Sequence, residues 1–161
     1  MSQKHQTKYA WQFAGKMEGF TDKELKERIQ QGMDKPFEHR IRPIPYLGKV
    51  HQVITHTYPE LEALCPVTGI HDLYDIKLVY EPNELLPELK SLKFWFWEFR
   101  THPISHEHLA ARIYRDFKEA LNPRWLSVYL MVADRGEIKT TVTIKDSEDE
   151  LCSCWKDDQI D

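Results

Sequence analysis

Apolar residues recur every four positions from Leu109 through Ile113 and Phe117 to Leu121, which predicts a helix over Ser105–Leu121 with that stripe against a core. Ser105 stands where a capping hydroxyl belongs, Glu107 falls in the first turn, and Pro123 stops the helix. An earlier helix is marked over Thr21–Gly32. Thr21 and Glu24 have capping-box spacing, Phe20 and Leu25 fit a hydrophobic staple, and Gly32 suits a left-handed terminal residue. Its role is to pack Leu25 and Ile29 onto the body. Alternation predicts strands instead at Leu73–Tyr80, where Ile76, Leu78 and Tyr80 share a face. Val50–Thr57, Trp125–Val132 and Ile138–Ile144 also read as strands, the last two joined by a turn at Ala133–Gly136. Residues 33–47, with Pro36, Pro43 and Pro45, read as an extended connection, and Pro59–Thr68 as a loop. Ser91–Arg100 is ambiguous. Its five aromatics favour a strand, yet Leu92, Trp95, Phe96 and Phe99 also form one helical stripe.

The elements divide the chain into an N-terminal extension (1–49), a central α+β domain (50–144) and an acidic tail without periodicity (145–161). A length of 161 residues fits one such domain, and 41% apolar residues can fill its core. A net charge of -4 gives no general reason to expect nucleic acid or an anionic membrane as partner. No apolar run nears the roughly 20 residues needed to cross a bilayer. The polar first residues lack the apolar centre of a signal peptide, so a cytoplasmic location is expected.

Three cysteines, Cys65, Cys152 and Cys154, make a poor disulfide framework. Cys65 is isolated in Leu64-Cys65-Pro66-Val67-Thr68-Gly69, as a nucleophile would be, although a small buried apolar role competes with that reading. A thiolate attacks and a thiol hardly does, so Cys65 needs a base or a cation nearby. Asp72, seven positions on, can accept or donate the proton if the turn at Pro66 and Gly69 folds the chain back; otherwise it starts a strand or meets solvent. Glu107 at a helix start can accept two N–H groups from a guanine-like edge, or simply complement the dipole. His106 can relay protons near neutral pH, or sit on the surface. Lys90, Lys93 and Arg100 can pair with phosphate, and so can Arg135-Gly136, against a solvated face and a plain hairpin turn. No Gly-x-Gly-x-x-Gly fingerprint points to a Rossmann cofactor site. Cys152-Ser153-Cys154 offers only two sulfurs, so no metal is expected.

The run Glu88-Leu89-Lys90-Ser91-Leu92-Lys93, between the Cys65–Asp72 segment and His106-Glu107, resembles the signature of the QueF family, NADPH-dependent nitrile reductases of 7-deazaguanine metabolism. The likeness spans about residues 50–144. It departs at Phe94-Trp95, and at Glu137, where a second glycine is common. The resemblance implies a tunnelling fold: an antiparallel four-stranded sheet with two helices on one face, here with an added N-terminal helix. It makes Leu89–Thr101 a helix. It also implies a homo-oligomer with sites between subunits, an arrangement in which Cys65 and Glu107 of one site can come from different chains. Cys65 becomes the nucleophile, Asp72 the general acid/base, and Glu107 the purine anchor with His106 beside it. Glu88 and Leu89 border the substrate. Lys90, Ser91, Lys93, Arg135 and Gly136 face NADPH. The implied reaction reduces 7-cyano-7-deazaguanine to 7-aminomethyl-7-deazaguanine through a cysteine thioimidate, a step toward queuosine in tRNA. Two alternatives remain: a related amidinotransferase of archaeosine formation, which needs no NADPH, and a non-catalytic tunnelling-fold protein that binds a purine or pterin.

Overall fold

A computed structural model describes residues 21–146. Phe20, Cys152 and Cys154, which carried the staple and the paired-sulfur readings, lie outside them.

Helix α1 spans Asp22–Asp34 and begins with the expected capping box between Thr21 and Glu24. Gly32 does not end it. The helix continues to Asp34 with Lys35 as its C-cap. The glycine is needed for room: a Cβ there would lie 1.9 Å from the Pro103 carbonyl oxygen. The connection expected to be merely extended holds a short strand β1 (Pro43–Pro45), which pairs antiparallel with β4 (Leu85–Pro87) in a separate ribbon.

The main sheet has four antiparallel strands in the order β2 (Ile54–Leu64), β3 (His71–Glu81), β5 (Trp125–Arg135) and β6 (Ile138–Lys145). Helices α2 (Leu89–Glu98) and α3 (His106–Leu121) cover one face, and a short 3₁₀ turn over Phe99–Thr101 continues α2. The helical reading of the aromatic segment therefore holds. Its stripe of Leu92, Trp95, Phe96 and Phe99 is buried together with Leu109, Ile113, Phe117 and Leu121 of α3, against Ile76, Leu78 and Tyr80 of β3. Burial of that stripe outweighs the strand propensity of the aromatics. Ser105 stands at the N-cap of α3 but makes no capping bond; its hydroxyl is 2.6 Å from His108 Nδ1 instead.

Two irregularities aim the sheet. Strand β2 was expected to end near Thr57, yet it runs through Pro59 to Leu64. An extra residue between Tyr58 and Leu61 opposes β3 there, and Pro59 is accommodated because β2 is an edge strand. Before this bulge Ile54, His56 and Tyr58 turn inward; after it Leu61 and Ala63 do. The change of parity puts Leu61 and Ala63 on the core face just ahead of the turn that holds Cys65. Strand β5 likewise carries one extra residue relative to β6 between Val132 and Arg135. Leu126, Val128, Leu130 and Val132 face the core; beyond the shift Arg135 stays exposed, and its guanidinium reaches the buried Asp72. The β5–β6 turn thus lies at Gly136 and Glu137, two positions beyond the expected one, with φ of 54° and 72° as a type I′ hairpin needs. Asp146, assigned to the tail, is anchored: it takes bonds from Lys118 and the Tyr114 hydroxyl, and accepts the Leu126 N–H at 2.9 Å. No helix among the described residues is long and apolar enough to cross a membrane.

Candidate active site

Cys65 follows the last residue of β2 in a closed turn. Its N–H donates to the Ile70 carbonyl at 2.8 Å and its carbonyl accepts from the Gly69 N–H at 2.8 Å. Gly69 closes the turn at φ 70°, where a side chain would be strained. The Thr68 N–H approaches the half-buried sulfur at 3.5 Å. Burial is the largest single influence on the thiol and opposes its ionisation. The Thr68 hydroxyl and N–H, the Val67 N–H and the Arg135 guanidinium together outweigh it, so the Cys65 pKa lies below that of an ordinary cysteine. That environment suits a nucleophile and not a packing cysteine.

Asp72 pairs with Ala63 across β2 and β3, two residues before Cys65, and is only 2% exposed. The Arg135 guanidinium forms an ion pair with it. One cation therefore serves both the thiol and the acid.

The segment 102–104 runs beside the end of β2. The Leu64 N–H donates to the His102 carbonyl, and the Ile104 N–H donates to the Leu64 carbonyl, each at 2.9 Å. The chain then enters α3 with His106 and Glu107 in the first turn. His106 Nδ1 is 2.8 Å from the hydroxyl of Tyr74, a buried residue on the same face of β3 as Asp72. Burial, and then the negative charges of Cys65 and Glu107, push the Tyr74 phenol well above its ordinary pKa. Tyr74 was not singled out in the sequence. Its signal was the alternation itself, since Asp72, Tyr74, Ile76, Leu78 and Tyr80 share a face and Tyr74 puts a hydroxyl beside the acid.

Helix α1 braces this end. Arg28 Nη1 donates to the Pro66 carbonyl at 2.9 Å, and Gly32 lets α1 close onto Pro103.

The signature run lies elsewhere. Glu88 caps α2, accepting the Lys90 and Ser91 N–H groups at 2.9 and 2.8 Å. Those bonds hold the Glu88 carboxyl below its ordinary pKa. The Ser91 hydroxyl donates to the Glu88 carbonyl and accepts the Arg42 N–H. Leu89, Lys90 and Lys93 are exposed, and both lysines are without an ion pair among the described residues. Arg100 is not with them: it stacks over Trp97 at 4.4 Å and approaches Glu62 at 3.8 Å. Helix α2 and its 3₁₀ extension are about 20 Å long, and their far end adjoins Leu64. The structure thus groups Cys65, Asp72, Tyr74, His106, Glu107 and Arg135, and leaves Glu88, Leu89, Lys90, Ser91 and Lys93 a helix length away. Gly136 lies in the exposed turn beyond Arg135. Among the described residues no cluster of His, Cys, Asp and Glu could hold a metal. A cleft of about 530 Å³ lies apart from all of these, against Phe37, Trp95 and Arg112. There Arg112 is already bound to Asp116 and to the Met33 and Lys35 carbonyls.

Residues 72–150 match the sequence model of the family described as QueF-like protein. An NADPH-dependent 7-cyano-7-deazaguanine reductase of Anaeromyxobacter sp. (strain Fw109-5) is 44% identical over 90 residues, covering 56% of this chain and 74% of that protein. The reductase of the same name from Aquifex aeolicus (strain VF5) is 40% identical over 96 residues, covering 60% and 74%. Among solved structures, an archaeosine synthase QueF-Like in the apo form superposes with a TM-score of 0.56, at 21% identity, over 60% of this chain and 95% of that one. That likeness carries the fold, an α+β tunnelling fold, and nothing more.

Proposed function

The chain belongs to the QueF family, and from that premise we propose that it is an NADPH-dependent 7-cyano-7-deazaguanine reductase, an oxidoreductase of the queuosine pathway, with Cys65 as its nucleophile. The observation that carries this reading is the Cys65 turn: a thiol with lowered pKa, two residues along the chain from the strand partner of a buried acid, with a guanidinium serving both.

A nitrile carbon is a weak electrophile, and covalent addition divides one hard step into easier ones. Cys65 sulfur bonds to the nitrile carbon, and the thiol proton passes to the Asp72 carboxylate. Asp72 then gives that proton to the nitrile nitrogen, so the product is a neutral thioimidate and Asp72 is again the carboxylate facing Arg135. Glu107 holds the N–H edge of the heterocycle and keeps the nitrile near sulfur. When bound, NADPH supplies hydride, two equivalents for each nitrile carried to the amine. Between the two the sulfur leaves, and Cys65 returns to its thiolate.

The exposed donors at the start of α2 fit an anionic cofactor. Among the described residues no carboxylate pairs with the Lys90 or Lys93 ammonium group, and Ser91 stands between the two lysines. Because a helix length separates them from Cys65 of the same chain, a second copy is the simpler source of the cofactor-binding run, and the working enzyme is a homo-oligomer with sites between subunits. Leu89, exposed beside Glu88, borders the substrate in that arrangement. Nothing in this scheme calls on nucleic acid, membrane or metal.

The test is stoichiometric. The protein with 7-cyano-7-deazaguanine should oxidise two NADPH for each amine formed, and Cys65→Ala should oxidise none. Residual nitrile-dependent oxidation by Cys65→Ala would remove the sulfur from the mechanism.

A further inference from the structure

Tyr74 and its partner His106 have no part in the chemistry above, although Tyr74 lies at the centre of the group around Cys65. It is 2% exposed, its hydroxyl is 2.8 Å from His106 Nδ1, and its ring meets the imidazole edge-on at 5.5 Å between centroids. We infer that Tyr74 is a positioning residue that fixes the neutral form of His106 with its proton on Nε2, so that His106 meets the substrate as a hydrogen-bond donor and not as a proton shuttle. The inference rests on the nitrile-reductase reading for the identity of the substrate; the tautomer does not.

The hydrogen-bond inventory leads there. The Tyr74 hydroxyl is buried and has one hydrogen-bond partner among the described residues, so a phenol that keeps its proton donates to Nδ1 and does not bury an unpaired O–H; a neutral imidazole whose Nδ1 accepts must carry its hydrogen on Nε2. The phenol does keep its proton, because burial and the nearby charges of Cys65 and Glu107 all disfavour phenolate. The same facts block a relay. For Nε2 to release its hydrogen, Nδ1 would have to take the phenol's, which would leave a phenolate beside two negative groups. His106 therefore offers one N–H to an acceptor atom of the substrate, next to Glu107, which accepts. Donor and acceptor side by side on one helical turn match a heterocycle edge that presents both kinds of group. Delivery of the proton to the nitrile is then left to Asp72.

The experiment uses Tyr74→Phe, which keeps the ring and loses the hydroxyl. Nitrogen-15 correlation spectra of the imidazoles, taken without substrate, should show His106 as the Nε2–H form in the parent and as a mixture in Tyr74→Phe. An Nδ1–H parent, or an unchanged variant, overturns the inference, and neither result bears on Cys65 chemistry. Binding provides the second reading. Tyr74→Phe should weaken 7-cyano-7-deazaguanine binding about 3- to 10-fold while adduct formation at saturation changes by less than about twofold. The reverse pattern, intact binding with slow adduct formation, would make His106 a proton carrier after all. Should Tyr74→Phe not fold, His106→Gln, which retains an N–H near the Nε2 position, should bind better than His106→Leu. Equal weakening of both overturns the donor role.

Discussion

At the Cys65 end of the sheet, polar groups are drawn out of water and each is held from another element. Asp72 on β3 meets Arg135 from β5, Tyr74 on β3 meets His106 on α3, and the Pro66 carbonyl beside the cysteine meets Arg28 on α1. Where α2 begins, Lys90 and Lys93 stand in solvent, and Glu88 spends its carboxylate on its own helix. The first arrangement shifts proton affinities and fixes atoms, as bond-making needs. The second keeps donors accessible and unpaired, as capture of a charged ligand needs. The difference teaches that covalent chemistry and cofactor binding are assigned to separate places in one chain, and that a complete site has to join them.

The largest expected effect strikes the buried end. Asp72→Asn keeps the shape but cannot take the thiol proton, and it leaves Arg135 without its counter-charge. Adduct formation in rapid-quench experiments should slow about 10²- to 10⁴-fold, whereas NADPH binding stays as it was. A normal adduct rate would take the proton-transfer role from Asp72.

Next comes the exposed end. The double change Lys90→Ala with Lys93→Ala should raise the KM for NADPH about 10-fold and leave adduct formation untouched. Mixed with Cys65→Ala, this variant should show turnover at low NADPH in a fraction of its sites, because each supplies the half of the site that the other lacks. If the raised KM persists in full on mixing under conditions that exchange subunits, both halves of a site belong to one chain.

The smallest effect concerns support. Gly32→Ala forces a Cβ to within 1.9 Å of the Pro103 oxygen, and backbone on both sides must shift. Loss of about 1–3 kcal/mol in denaturant unfolding is expected, exceeding the gain of at most about 1 kcal/mol in helix propensity. An unchanged or raised stability would show that α1 does not press on the segment leading to His106.

The two ends were unequally legible. The exposed end is local: Glu88 caps the helix it precedes, and the whole run from Glu88 to Lys93 lies on one turn and a half of chain. Its sequence spacing is therefore nearly its spatial arrangement. Even there, the helix had to be taken from resemblance, because five aromatics within six residues satisfy either period. The buried end depends on register. Alternation located β3 and so put Asp72 and Tyr74 on one face, but a single extra residue reverses alternation. Pro59 read as the end of a strand when it marks a bulge within one, and that bulge reverses which positions face the core in the residues leading to Cys65. The extra residue after Val132 interrupts the alternation ahead of Arg135, which was read as a ligand contact on a hairpin turn and is found on Asp72. Gly32 was misread for a related reason, since a close approach by a distant carbonyl leaves no trace in the neighbouring sequence.

The division of labour can be put to one direct measurement. Intact mass spectrometry of the protein mixed with 7-cyano-7-deazaguanine in the absence of NADPH should show one added substrate mass per chain, mapped by peptide digestion to Cys65 and lost in Cys65→Ala. Turnover of the nitrile in the presence of NADPH, with no adduct trapped in its absence, would contradict the account.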